Sequence, residues 1–316
     1  MWFNTYPGTR EEVILVVDTP PIEVPTVTDA PQETSPQTPQ QTTAGRRRDE
    51  LADFLTKRRA ALTPEQVGLP NGTRRRTPGL RREEVALLAG VGTTWYTWLE
   101  QGRDVRASLD VLEAIAAALR MTPAERAHLI ALGRAEEPPP CPGRAEFASS
   151  AITNLIGSLG NNPGYLLGRR WDYLAWNRPA SLLLGGLDQL ELNVRNHLWQ
   201  HFMDPRRREL FTDWEASARL MTAKFRADFA HNIGDPTWDE LKTSLRKSSK
   251  DFCDAWKRHE VADTGEGRKV LNHPLVGRLV FDHVVLRPQA NPEQRLIMFA
   301  PLPEDDTPAK LTELLR

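Results

Sequence analysis

At 316 residues, with 40% hydrophobic and 26% charged side chains, the chain is long enough to bury two cores and too mixed for a fibrous or wholly disordered polymer. No apolar stretch approaches the roughly 20 residues that cross a bilayer, Arg10 leads into two glutamates rather than an apolar leader, and Cys141 and Cys253 form no disulfide framework or metal spacing; a cytoplasmic protein without membrane, metal or cofactor is expected. The net charge of −1 hides opposite ends: positions 1–45 carry one Arg against six acids, whereas 46–106 carry thirteen Lys or Arg against eight Asp or Glu, which suits an anionic partner or a plain solvated surface.

In chain order, residues 19–45 are rich in Pro, Thr and Gln and nearly empty of large apolar side chains. They cannot offset their ordering entropy, so 1–45 is expected to be a disordered extension. From Arg46, Leu51, Phe54, Leu55 and Leu62 recur at helical spacing. After a loop marked by Asn71-Gly72 come the helices LRREEVALLAG, TTWYTWLEQG, SLDVLEAIAAALRM and TPAERAHLIALG. Ser108 reads as an N-cap, and Thr122, Pro123 and Glu125 as cap, first position and capping-box acid. Five helices without strand signal make 46–134 one all-α domain.

The segment from Arg82 meets the demands of a helix-turn-helix. Val85 faces the core, Ala86 is the small residue at the crossing, Ala89 packs, Gly90 makes the turn and Val91 plugs it. Tyr96 and Leu99 share the inward face of the next helix, with Trp95 at the bundle edge. Thr93, Thr94, Thr97 and Trp98 then face outward, where a recognition helix meets the major groove. Trp98 has a single N–H donor; it packs on thymine methyls or sugars unless it folds onto its neighbours or a second domain. Arg74, Arg75, Arg76, Arg81, Arg82, Arg103 and Arg106 flank the helix and suit phosphate contacts, which position a protein without reading bases.

The pattern LRREEVALLAGV-x3-WYTWLEQGR, followed by SLDVLEAIAAALRMTPAERAHLIALG, resembles the Cro/repressor-type (XRE) helix-turn-helix domain. That resemblance implies a five-helix, lambda-repressor-like fold, homodimers on inverted repeats of double-stranded DNA, base contacts from Thr93, Thr94, Thr97 and Trp98, and a phosphate contact from Arg82. Two positions depart from the pattern. Gly92 stands where the family often has a Ser or Thr cap, and Trp98 where relatives often carry a polar or basic residue, so no operator sequence is inherited.

AEEPPPCPG, residues 135–143, reads as a stiff spacer. Beyond it come a helix (AEFASSAITNLIGSL), strands at Tyr165–Leu167 and Asp172–Trp176, and a short helix capped by Asn177. A long helical middle runs from about Leu190 to Val261. Two closing strands (GRLVFDHVVLRP and RLIMFAPLP) and a final helix from Ala309 to Leu315 end the chain. This is an α+β domain over 144–303 with a helix in 304–316. GRRWDYLAWNRPASLLLG resembles the start of a PAS-type domain. With LFTDWEASARLMTAKFRAD, FCDAWKRHEVAD, HPLVGRLVFDHVVLRP and QRLIMFAPLP, residues 46 to 303 are similar to the MmyB-like regulators. The resemblance implies a PAS-like sheet with inserted helices, a hydrophobic pocket and, in some relatives, a bound fatty acid.

Trp171, Tyr173, Trp176, Trp214 and Phe281 are the candidates to line such a pocket, and Arg226, Arg258 and His259 to orient a carboxylate. The same aromatics also fit an ordinary core, and the same charges ordinary ion pairs. No His-x3-His, Cys-x2-Cys, glycine-rich phosphate loop or Gly-x-Ser-x-Gly elbow occurs, so no catalytic or metal site is expected. The resulting expectation is a one-component transcriptional regulator sensing a small hydrophobic ligand. The alternatives are a second domain that only dimerises or docks a partner, and an enzyme tethered to DNA.

Overall fold

The computed structural model describes residues 42–70, 79–134, 146–262 and 266–316. Residues 1–41 of the N-terminal extension, Arg74, Arg75 and Arg76, and the proline-rich spacer lie outside the described residues; the extension expected to run to 45 ends earlier, because Thr42 caps a helix that already includes Thr43–Gly45.

The first helix, α1 (Thr43–Ala61), opens at Thr42, whose hydroxyl accepts from the Gly45 N–H, and buries Leu51, Phe54 and Leu55. It is followed by α2 (Arg82–Leu88), α3 (Thr93–Glu100), α4 (Leu109–Ala118) and α5 (Pro123–Gly133). Ser108 caps α4, and Thr122 with Glu125 forms the reciprocal box at α5. Gly90 turns the chain from α2 into α3 at φ +66°. Phe54, Leu80, Val85, Tyr96, Leu112, Ile115 and Leu129 form the sealed centre of this bundle.

Gly79 is the tighter glycine: at φ +84° its backbone lies against the end of α1, and an added Cβ would sit 2.6 Å from Ala60 Cα and its carbonyl oxygen. Gly79→Ala is therefore expected to lose about 1–3 kcal/mol from left-handed strain alone, and more from displacing α1. A urea midpoint equal to that of the parent chain would show instead that the loop yields freely.

The second part begins with α6 (Ser150–Gly157), β1 (Gly164–Leu167), β2 (Tyr173–Trp176) and α7 (Arg178–Leu183). Five helices are then inserted: α8 (His197–Met203), α9 (Pro205–Leu210), α10 (Trp214–His231), α11 (Pro236–Ser248) and α12 (Lys250–Trp256). The chain closes with β3 (Gly267–His273), β4 (Gly277–Leu286), β5 (Arg295–Pro301) and α13 (Thr307–Leu314). The strands form one antiparallel sheet in the order β2-β1-β5-β4-β3. Leu166 and Leu296 pack with Ile156 of α6 on one face. Tyr165, Tyr173, Phe281, Ile297 and Phe299 join the inserted helices in the main core. Alternation of side chains along each strand makes the division possible.

Several elements differ from the sequence expectation. Strand β3 was not anticipated, because GRKVLNH has only Val270 and Leu271 among polar residues. Such charge content is how an edge strand resists further pairing, and β3 is at the sheet edge, paired with β4 from Gly267↔His283 to His273↔Gly277. The helix expected from AEFASSAITNLIGSL begins only at Ser150, because the Ser149 hydroxyl caps it by accepting from Ile152 N–H. Asp172 makes an isolated bridge with Asn196 and stays outside β2. The last helix starts at Thr307, two residues early; the buried Thr307 hydroxyl accepts from Val280 N–H of β4 and donates to Glu304 O. Residues 304–316 are thereby built onto the sheet.

The bundle and the α+β part are also joined directly. Helix α5 packs with both α1 and α10. Arg46 of α1 pairs with Asp239 of α11, and Glu50 of α1 lies 3.6 Å from Arg226 of α10 and 3.7 Å from Lys242 of α11. Helix α1 thus buries Phe54 in the bundle and sets the Glu50 carboxylate against Arg226 and Lys242.

Candidate nucleic-acid interface and ligand-sensing core

Helix α3 starts at Gly92 without a side-chain cap. Tyr96 and Leu99 point into the bundle, and Trp95 is half-buried at its edge. Thr93 and Thr94 are exposed, while Thr97 is half-buried and donates its hydroxyl to Thr93 O at 2.8 Å. Trp98 is 40% exposed, with the Arg103 guanidinium 5.8 Å from its ring centre. Such a cation–π pair contributes about 0.5–1 kcal/mol at an exposed site. The outward surface therefore presents two threonines and a tryptophan backed by an arginine.

The flanking arginines are not equivalent. Arg81 is exposed, pairs with Glu83 at 3.3 Å, and donates its backbone N–H to the Glu84 carboxylate at 2.6 Å. Arg82 is steered by an internal acid: its Nε donates to Glu100 at 2.6 Å. The Glu100 side chain has no solvent exposure and also accepts from Arg59 Nε at 2.5 Å and from Tyr96 Oη at 3.0 Å. Arg59 donates in turn to Leu80 O at 2.7 Å. Burial, and then the neighbouring Glu100 charge, push the Tyr96 hydroxyl well above its ordinary pKa. This cluster pins α1, α2 and α3 together beneath the outward face of α3. Glu100 and Arg59 carry one mark in the sequence: Glu100 stands four residues after Tyr96, on the stripe that Tyr96 and Leu99 bury.

The pocket candidates are separated by the fold. Trp171, Tyr173 and Phe281 are buried in the main core with the inner face of the sheet. Trp171 has a left-handed backbone (φ +70°), uncommon for a bulky residue. Its indole N–H donates to Asp228 at 2.7 Å, and its carbonyl accepts from His197 N–H at 2.8 Å. The Tyr173 hydroxyl lies 2.6 Å from His197 Nδ1 and accepts from Arg207 Nη2 at 3.3 Å. Phe281 meets Phe299 edge-on at 5.5 Å. Trp176 is half-buried, donating to Asp188 at 2.6 Å beneath Arg195. Trp214, also half-buried, stacks on His201 at 4.8 Å and donates to Asp251 at 2.8 Å.

Arg226 belongs to the junction with α1. It is 1% exposed, sits 3.9 Å over the Trp256 ring, donates to Trp256 O and pairs with Glu50. Its neighbour His259 is buried at 3.4 Å, and Arg258 pairs on the surface with Glu215. An open cleft of ≈ 300 Å³ lies beside this junction, walled by Arg58, Glu125, Leu220, Ala223 and Val261. None of the aromatic candidates lines it.

Burial, reinforced by Arg226 or Arg207, holds His128, His197 and His201 well below the usual imidazole pKa, and lowers His259 to about 4. The unfolded chain binds more protons than the folded one below about pH 6.5, so stability from neutral histidines is full above that value and lost as pH falls towards 4. The melting temperature should decline from about pH 6.5 downward; a flat profile to pH 4.5 would contradict the burial of these rings.

Among the described residues, no group of three or more His, Cys, Asp or Glu side chains is placed to hold a metal, and no helix is long and apolar enough to cross a membrane. A family model for the MmyB-like transcription regulator ligand binding domain matches residues 148–315, and a helix-turn-helix domain model matches residues 50–129. Comparison with curated proteins gives no match.

Proposed function

Because the chain belongs to the family of MmyB-like transcription regulators and joins that family's ligand-binding domain to a DNA-binding helix-turn-helix, we propose that it is a cytoplasmic, one-component regulator that senses a small hydrophobic molecule. It acts as a homodimer on double-stranded DNA and performs no catalysis. Thr93, Thr94, Thr97 and Trp98 read base edges and methyl groups, while Arg81, Arg82 and Arg103 hold phosphates. The antiparallel sheet, with one face reserved for inserted helices, supports a PAS-like reading of the second domain.

The observation that carries the proposal is the double engagement of α1. It buries Phe54 under the recognition surface and sets Glu50 against Arg226 and Lys242 of the other domain. A ligand that favours one arrangement of α10 and α11 biases the position of α3 through α1. Equal affinity for both arrangements would shift nothing.

Native against denaturing mass spectrometry of the purified chain, followed by DNA titration before and after the released mass is removed, tests this. Extra mass that is lost on denaturation and changes DNA affinity is the expected result. A bare protomer mass, with DNA affinity indifferent to added amphiphiles, would favour the second reading, in which the domain only dimerises or docks a partner. The close burial of Trp171, Tyr173 and Phe281 favours that second reading.

A further inference from the structure

Helix α10 leaves a hollow where it passes the DNA-binding bundle. Ala216, Arg219, Leu220 and Ala223 recur at i, i+3, i+4 and i+7, so they share one face of the helix. The small side chains at 216 and 223 leave Leu220 47% exposed, although Met221, Phe225 and Phe229 of the same helix are buried. After α12 the chain turns at His259, whose backbone is left-handed at φ +54°. Residues 260–262 then lie along α10, where Ala262 N–H donates to Ala223 O at 3.4 Å. Arg58 of α1 and Glu125 of α5 close the other side, and the cleft between them holds ≈ 300 Å³. That is the lower end of the range that takes small ligands.

The charges on the walls are unequally supplied. Each guanidinium already has a carboxylate: Arg58 pairs with Glu125, and Arg219 with Glu215 at 3.3 Å. Glu260 is half-buried on the wall and has no hydrogen-bond or ion-pair partner among the described residues. The lining therefore offers one uncompensated carboxylate beside an apolar floor of Leu220, Ala223, Val261 and Ala262. An anionic head group would meet Glu260 as a like charge. An ammonium would meet it through a charge-assisted hydrogen bond.

We propose that this cleft binds a small organic cation, an amine with an apolar body, with Glu260 as its counter-ion and Leu220 beneath its apolar part. The site goes beyond the hydrophobic-ligand reading above and does not depend on it, since no aromatic residue of the sheet lines the cleft. Helices α1 and α5 supply one wall and α10 with residues 260–262 the other, so an occupant touches the DNA-binding bundle and the α+β part at once.

Calorimetric titration of the full chain at neutral pH with hexylammonium chloride, hexan-1-ol and sodium hexanoate tests the site, repeated on Glu260→Gln and Ala216→Leu. The parent should bind hexylammonium roughly tenfold or more tightly than hexan-1-ol, a difference of about 1.4 kcal/mol, and hexanoate more weakly than either. Glu260→Gln should lose the preference for the amine while its unliganded melting temperature matches the parent's. A lower melting temperature would give the carboxylate a structural partner and overturn its role as a free counter-ion. Ala216→Leu changes a half-buried position on the same face of α10, narrows the cleft, and should weaken the binding of amine and alcohol alike. Equal binding of amine and alcohol overturns the cation site, as does a preference for hexanoate or silence towards all three probes. An amine preference that survives in Glu260→Gln, or that Ala216→Leu leaves untouched, places the amine elsewhere and overturns the assignment. None of these results decides whether a molecule co-purifies with the chain, so the sensing reading stands or falls on its own mass measurement.

Discussion

Glu100→Ala is expected to lose about 3–5 kcal/mol of stability, the scale on which breaking a buried ion pair leaves its partner uncompensated. The carboxylate has no solvent exposure and gathers Arg59, Arg82 and the Tyr96 hydroxyl. Arg59 is the partner that suffers, since its side chain is largely buried between α1 and Leu80. Arg82 is nearly half exposed and regains water, so its share is small. Tyr96 keeps its ring in the core but loses the acceptor for its hydroxyl, a further buried donor left unmade. Glu100→Gln retains an acceptor oxygen without the charge and should lose less, about 1–3 kcal/mol. Because a domain has only about 5–15 kcal/mol in hand, the alanine variant should melt the bundle at a temperature where the parent is folded, and DNA binding should disappear with it. Urea denaturation of the three proteins measures the order. An alanine variant within 1 kcal/mol of the parent would show that the cluster is dispensable.

Thr94→Ala combined with Trp98→Ala should leave the fold intact and weaken binding to a specific site by about 2–4 kcal/mol, on the basis of roughly 1–3 kcal/mol per base position. Both side chains are exposed on α3, so their removal opens no core cavity. Arg103→Ala should behave differently, reducing affinity for specific and unrelated DNA alike and lowering the slope of log affinity against log salt by about 1. The two sites are coupled, because the Arg103 guanidinium lies 5.8 Å from the Trp98 ring centre; their effects should not add. Fluorescence anisotropy across a potassium chloride series separates the terms. A double variant that retains the parent's preference for its site would remove α3 from the reading role.

The helix-turn-helix was legible because its determinants are local. Gly90 at a positive φ, the Ser108 and Thr122 caps, and Tyr96 with Leu99 three residues apart all act within one or two turns of chain. The partnership of Glu100 with Arg59 spans 41 positions and exists only once α1 lies across α3. Arg226 reads in the sequence as a free charge on an aromatic helix; its role appears only when α1 delivers Glu50 to it. The aromatic candidates scatter for a similar reason. Trp176 and Trp214 each find a carboxylate at the periphery, Asp188 and Asp251, whereas Trp171 and Tyr173 are drawn inward by Asp228 and His197. Strand β3 is hard to read because Lys269 and Leu271 share one face while Arg268, Val270 and Asn272 share the other, and a lysine on the core side breaks the apolar alternation that marks a strand.

The central claim is that α3 reads DNA sequence, and the most direct measurement is a binding selection from a random double-stranded library with the full chain, sequenced beside the Thr94→Ala, Trp98→Ala variant. The parent should enrich one defined motif, arranged as an inverted repeat, and the variant should lose that enrichment while remaining folded. Failure of the parent to enrich any motif, or enrichment of the same motif by the variant, would contradict the account.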